Sequence, residues 1–263
     1  MSLKGSLCVV LVEPAGPLNV GSVARLCANF DVDDLRLVAP RCDPNDADAR
    51  RMAVHGRPVL EAARVYSTLL EAVGDCSRVV ATAGRLDHGT IPLGPPDAVL
   101  PWAIKPGSKQ PLALVFGRED HGLTNAELLL SQRVITLHSS GDYPSLNLSH
   151  AVAVVLHEIT RLRVAAAKQT IEAEAVAVAA AMANPAPIPA EPIEPSSPKQ
   201  LEACLDDAQE LLLEVGFLLE HTARARMAKL RGLLLRGLIR ADEVALLRGM
   251  VRQLRWAVRQ HRP

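Results

Sequence analysis

Short apolar runs alternate with amphipathic stretches through the first two-thirds of the chain. Leu7–Val12, Leu35–Val38, Arg78–Ala83, Leu112–Phe116 and Arg133–Leu137 are β-rich and too short for buried helices. Between them, helical patterns cover Val20–Asn29, Asp46–His55, Thr68–Val73, Thr124–Ser131 and Leu148 to about Ala167. Strands alternating with helices predict an α/β domain with a mostly parallel sheet covered on both faces. Ala173–Ala183 reads as a helix running out of that domain. Six prolines between Asn184 and Lys199 then predict an extended link. Beyond it, three stripes predict a small all-α domain: Leu201–Leu205–Ala208–Leu212–Val215, Met227–Leu230–Leu234–Leu238, and Val244–Leu247–Val251–Leu254–Val258. The division is therefore 1–167, a linker at 168–199, and a helical extension at 200–263.

Composition sharpens this picture in two places. The chain is 49% hydrophobic, enough to bury a core, but only 3% aromatic, which argues against aromatic stacking as the main recognition device. The formal net charge of zero argues against nucleic acid until its distribution is considered. From His221 onward there are eleven lysines and arginines against Asp242 and Glu243. That basic end is the footprint of a polyanion binder. Arg248, Arg252, Arg255 and Arg259, spaced by three or four, share one helical face as candidate RNA contacts; a merely solvated face is the alternative. Cys8, Cys27, Cys42, Cys76 and Cys204 are scattered and without a C-x-x-C pair, as expected of reduced cysteines in a cytoplasmic protein with no metal site. No apolar run approaches a membrane span.

Three loops carry candidate chemistry. Glu13–Arg25 (EPAGPLNVGSVAR) follows the first strand, the usual ligand position in α/β proteins. Asn19 and Ser22 suit a helix start, and Arg25 could reach an anion there; a simple cap and a surface charge explain the pair equally well. No G-x-G-x-x-G is present, so a dinucleotide fingerprint is lacking. Phe116–Glu127 (FGREDHGLTNAE) follows another strand, with Gly117 and Gly122 for close backbone approach and Arg118, Glu119, Asp120 and His121 as a polar cluster. Asp142–Glu158 places Tyr143 and Pro144 ahead of Ser145, Asn147 and Ser149, which alternate with Leu146 and Leu148 before a long apolar helix.

Together, N-x-G-S-x-A-R at Asn19–Arg25, F-G-R-E-x-x-G-L at Phe116–Leu123 and S-L-N-L-S at Ser145–Ser149 resemble the motifs of the SpoU (TrmH) family within the SPOUT RNA 2'-O-ribose methyltransferases. The similarity spans about Ser6 to Leu162. Gly216–His221, Met227–Gly237 and Glu243–Leu254 look like the helical extension of its TrmJ subgroup. The resemblance implies a sheet ending in a C-terminal trefoil knot, a rare exception to the rule against knots. It implies S-adenosylmethionine bound by Thr82, Ala83, Gly84, Gly117, Leu137, Ser145, Leu146 and Asn147. It further implies a homodimer with Arg25 near the methyl donor across the interface, and methylation of the pyrimidine at anticodon-loop position 32 of tRNA. Arg25, Asn19, Glu119, Ser145, Asn147 and Ser149 are the candidate catalytic residues. The alternatives are ribosomal RNA or another tRNA position, or an RNA-binding assembly factor without turnover.

Overall fold

The computed structural model of the chain describes residues 3–84, 91–104, 110–137, 145–180 and 195–260, with backbone alone for 167–180. Among them, seven strands form one parallel sheet: β1 (Leu7–Val12), β2 (Asp34–Val38), β3 (Arg64–Tyr66), β4 (Arg78–Thr82), β5 (Leu93–Gly94), β6 (Leu112–Phe116) and β7 (Arg133–Ile135). Their order is β3-β2-β1-β6-β4-β7-β5. The five expected strands are all present. β3 and β5 escape the pattern because they are edge pieces of three and two residues, and Arg64, Val65 and Leu93 are exposed.

Strand residues alternate between two cores. Leu7, Val9, Leu11, Leu35, Leu37, Leu114 and Phe116 face one side; Cys8, Val10, Val12, Val79, Ala81, Ala113 and Val115 face the other. Burial on both faces is why these strands read as continuous apolar runs. The chain moves outward from β1 to β3, then returns past β1 to lay down the other half. Register aligns Leu11 with Phe116, Ala81 with Val115 and Thr82 with Ile135, so the loops after β1, β6, β4 and β7 open along one carboxyl edge. Such a reversal of strand order is where open α/β sheets place ligands.

The helices of this domain are α1 (Pro17–Asn29), α2 (Ala47–Ala53), α3 (Arg57–Glu61), α4 (Leu69–Val73), α5 (Pro96–Ala103), α6 (Asn125–Leu128) and α7 (Leu148–Ala180). α1 begins at Pro17, three residues before the expected start, because proline at the first helical position has its φ already set. Asn19 is thus inside the helix, Gly16 occupies the cap, and the Asn19 side chain is released for other bonds. α3 and α5, which have no counterpart among the expected helices, also carry early prolines, Pro58 and Pro96. A Cβ on Gly21 would stand 2.1 Å from the Ala49 carbonyl oxygen, and one on Gly56 2.7 Å from Arg25 Cα. These two glycines let α2 and the turn at Val54–Gly56 press against α1 and hold the backbone of Arg25. α7 buries Leu148, Val152, Val155, Leu156 and Ile159. It continues to Ala180 as one helix, joining the two helical stretches expected there. The implied knot crossing, with Asp142, Tyr143 and Pro144, lies outside the described residues.

α8 (Pro198–Glu214), α9 (Glu220–Arg236) and α10 (Ala241–Gln260) enclose a separate core of Leu201, Cys204, Leu205, Leu218, Ala223, Met227, Leu235 and Val244. α8 starts within the proline stretch: Ser197 and Gln200 form a capping box, and Pro198 takes the first helical position. Two expected stripe positions turn outward. Val215 lies past the end of α8, and Leu254 is 56% exposed. No described helix is long and apolar enough to cross a membrane.

Candidate active site

Glu119 joins the first two loops. Its carboxylate accepts from the amides of Ala15 (3.1 Å) and Gly16 (3.3 Å) and from Asn19 Nδ2 (3.1 Å). Asn19 Oδ1 accepts from Asn147 Nδ2 at 3.1 Å, and Asn147 Oδ1 accepts from Ser149 N at 2.9 Å and Ser149 Oγ at 2.8 Å. One polar chain, Glu119–Asn19–Asn147–Ser149, therefore ties together three loops, with Asn19 in the first loop 100 and 128 positions from its partners in the other two. Partial burial pushes the Glu119 carboxyl up, but the Ala15, Asn19 and Gly16 donors outweigh it and hold the group below its ordinary range. Glu119 stays anionic, with its acceptor capacity largely used.

Arg118 is buried. It donates to Glu127 at 2.8 and 2.9 Å, to the Gly122 carbonyl at 3.2 Å, and to Glu13. Its hydrogen bonds to the Glu127 and Glu13 carboxylates push its already high pKa further up. Glu127 also closes a capping box with Thr124 at the start of α6. Arg41 bonds the Glu13 carbonyl at 3.2 Å and reaches Asp120 at 3.3 Å, and nothing in the sequence signals that contact. The polar cluster after β6 thus divides: Arg118 fixes the loop, and Glu119 orders the rim. Gly117 is required sterically, since a Cβ there would lie 2.3 Å from the Gly122 carbonyl carbon. His121 is exposed beside Asp120.

These loops surround a cavity of about 600 Å³ at the carboxyl edge of the sheet. Its walls include Thr82, Ala83, Gly84, Gly117, Leu137, Ser145 and Leu146, seven of the eight positions expected to hold cofactor. The eighth, Asn147, lies outside the wall and bonds Asn19 instead. Phe116, Leu128, Ile135 and Leu148 supply apolar surface, and Asp120 and His121 of the polar cluster, with Asn125, add polar wall. The Thr82 hydroxyl is turned back to the Val115 carbonyl at 3.2 Å. Ser149 is buried and spent on Asn147, so it supports the loop and does not face the cavity. Arg25 is exposed on α1, outside the lining, with no hydrogen bond or ion pair among the described residues. No three His, Cys, Asp or Glu side chains among the described residues cluster as a metal site.

The basic end is less uniform than its sequence. Arg248 Nε donates to Asp207 at 2.6 Å, and Arg255 pairs with Glu210 at 3.2 Å, so both are drawn against α8. Arg231 is likewise held by Glu202. Arg252 and Arg259 are exposed, as are Arg224, Arg226, Lys229 and Arg236 on α9. Of the four candidate RNA contacts, two are committed inside the protein and two face outward.

A parallel sheet clothed on both faces, with a loop-knit pocket where strand order reverses, defines an α/β domain that seats a small ligand at its carboxyl edge. Residues 6–157 match the SpoU rRNA Methylase family, and the chain belongs to that family. It is 33% identical over 246 residues to the tRNA (cytidine/uridine-2'-O-)-methyltransferase TrmJ of Klebsiella pneumoniae, covering 92% of this chain and 93% of that one. It is 38% identical over 162 residues to the tRNA (cytidine-2'-O-)-methyltransferase TrmJ of Methanocaldococcus jannaschii, covering 60% and 69%. The crystal structure of TrmJ from Z. mobilis ZM4 superposes with a TM-score of 0.76 at 28% identity, across 95% of this chain and 99% of that one. The likeness therefore includes the helical extension.

Proposed function

We propose that this protein transfers a methyl group from S-adenosylmethionine to a ribose 2'-hydroxyl of tRNA, at the pyrimidine of anticodon-loop position 32. It would act as a cytoplasmic homodimer without a metal. The observation that carries the reading is the pocket, walled by seven of the eight positions assigned to the cofactor. Its fit to that group is good: about 600 Å³ suits a molecule of this size, with apolar surface from Phe116, Ile135 and Leu137 beside the main chain of Gly84 and Gly117. Relatedness along nearly the whole chain to tRNA 2'-O-methyltransferases supports tRNA over ribosomal RNA.

Bound there, S-adenosylmethionine supplies an electrophilic methyl on a sulfonium, which needs no metal activation. The protein's task is to orient the hydroxyl and ease loss of its proton. Glu119 is poorly suited to take that proton, because its low pKa and three donors make it a weak base. An arginine is not a base either. Arg25 instead grips a phosphate and stabilises the developing alkoxide. Its position outside its own subunit's pocket supports a site completed by a second copy. Exposed Leu18 on α1 and Val154 on α7 offer apolar surface for a two-fold contact.

Two measurements test this. Calorimetry in the presence of a chelator should show binding of S-adenosylmethionine, repeated with tRNA present; a folded protein that binds none in either case overturns the reading. Mapping ribose methylation with and without the gene should show loss at tRNA position 32. Loss confined to ribosomal RNA would move the substrate there.

A further inference from the structure

α10 is fastened to α8 along one side only. Arg248 Nε donates to Asp207 Oδ2 and Arg255 Nη2 to the Asp207 carbonyl, each at 2.6 Å, while Val244 is buried in the core. With 3.6 residues per turn, these fixed points decide what the free side presents. There Trp256 is 66% exposed. One helical turn before it is Arg252 and one turn after it is Arg259; both are exposed, with no hydrogen bond or ion pair among the described residues. Gly249, two turns before it, leaves open space, where a Cβ would meet nothing within 4 Å.

The chain's other tryptophan shows the contrast. Trp102 is partly buried, and the guanidinium carbons of Arg133 and Arg78 lie 4.7 and 5.7 Å from its ring centroid. Among the described residues no hydrogen bond or cation contact holds the Trp256 indole, and Arg252 and Arg259, one turn to either side, are unpaired. A flat aromatic surface flanked by two cations matches an unpaired nucleobase with a phosphate on each side. A second copy of α10 suits it less well, since a two-fold contact there would bring Arg252 and Arg259 against their own equivalents.

We propose that Trp256 is a stacking platform for one unpaired base of the RNA substrate, with Arg252 and Arg259 on the flanking phosphates. This rests on the tRNA reading above. It also qualifies the inference from aromatic content: a single indole can seat one base while phosphate contacts carry most of the affinity.

The test uses the full chain and tRNA. In the wild type, tRNA should quench part of the tryptophan emission. Trp256→Phe, which keeps a smaller ring, should lose that quenching and bind within about three-fold of wild type. Trp256→Ala should weaken binding by roughly five- to 150-fold with an unchanged salt slope, because stacking releases no counterions. Arg252→Gln with Arg259→Gln should instead flatten the slope of log affinity against log salt by roughly 1.4, the value for two contacts on a single strand. Because Trp256 is exposed, circular dichroism should show every variant folded.

Wild-type affinity for Trp256→Ala overturns the platform and leaves the tRNA reading standing. So does a Trp256→Ala protein that sediments as a smaller species, which would make this face a contact between copies. A wild-type protein that binds no tRNA overturns both.

Discussion

Replacing Arg25 by alanine should lower turnover about 10²–10³-fold, the loss expected when a donor to a developing oxyanion is removed. S-adenosylmethionine affinity should hold, since Arg25 lies outside the pocket lining of its own subunit. Arg25→Lys should also be poor, because a point charge does not replace a planar fork on phosphate. Stability should barely change, as the side chain is exposed with no hydrogen bond or ion pair among the described residues. Mixed dimers make the result sharper. Arg25→Ala can be paired with Ala83→Leu, which fills the pocket wall. If the arginine acts across the interface, each mixed dimer keeps one complete site, and a random mixture should recover about a quarter of wild-type activity. No recovery would place the arginine in the same subunit as the pocket it serves.

Glu119→Ala should cost about 10²-fold in turnover, because a displacement of about 1 Å at the reacting groups is enough for that loss. The alanine leaves the Ala15 and Gly16 amides and Asn19 Nδ2 without their shared acceptor, and Asn19 in turn orients Asn147. Those donors are only partly buried and water replaces some of the bonding, so stability should fall by only about 1 kcal/mol. The distinguishing readout is cofactor affinity, which should weaken together with turnover as the rim loosens. A variant with wild-type turnover would show that the rim holds without Glu119. The carboxyl lies below its ordinary value of 4.5 in the folded protein, so its contribution is fully present above that value. It should be lost as pH falls through the lower folded value. A denaturation series from pH 6 downward should therefore converge for wild type and Glu119→Gln.

Much of the fold is legible because β1, β4 and β6 are buried on both faces and leave unbroken apolar runs. Where burial is one-sided or the element is short, as in β3 and β5, no periodicity is long enough to see. The helix starts that the apolar pattern leaves out carry a proline in the first turn, at Pro17, Pro58 and Pro96, since the residue that breaks a helix interior also begins a helix. The motif residues mark the right loops, but their roles are set by how the loops meet in space. Asn147 and Ser149 sit in one motif with Ser145, yet only Ser145 faces the cavity. Arg118 and Glu119 are adjacent in sequence, yet Arg118 bonds Glu13, Gly122 and Glu127 while Glu119 takes Ala15, Gly16 and Asn19. On α10, spacing places four arginines on one face, but Asp207 and Glu210 come from a helix whose approach no local pattern specifies.

The glycines of α1's surroundings bear on how variation in this protein should be interpreted. Gly21 and Gly56 allow backbone to touch backbone, and any side chain at either position must drive two segments apart. Across a population of working sequences, both should be as invariant as Arg25, though neither touches substrate. A deep substitution survey would separate them: changes at Gly21 and Gly56 should deplete the protein itself, whereas changes at Arg25 should leave normal amounts of inactive protein. Along this helix, invariance alone records contact and chemistry alike, and abundance is the measurement that tells one from the other.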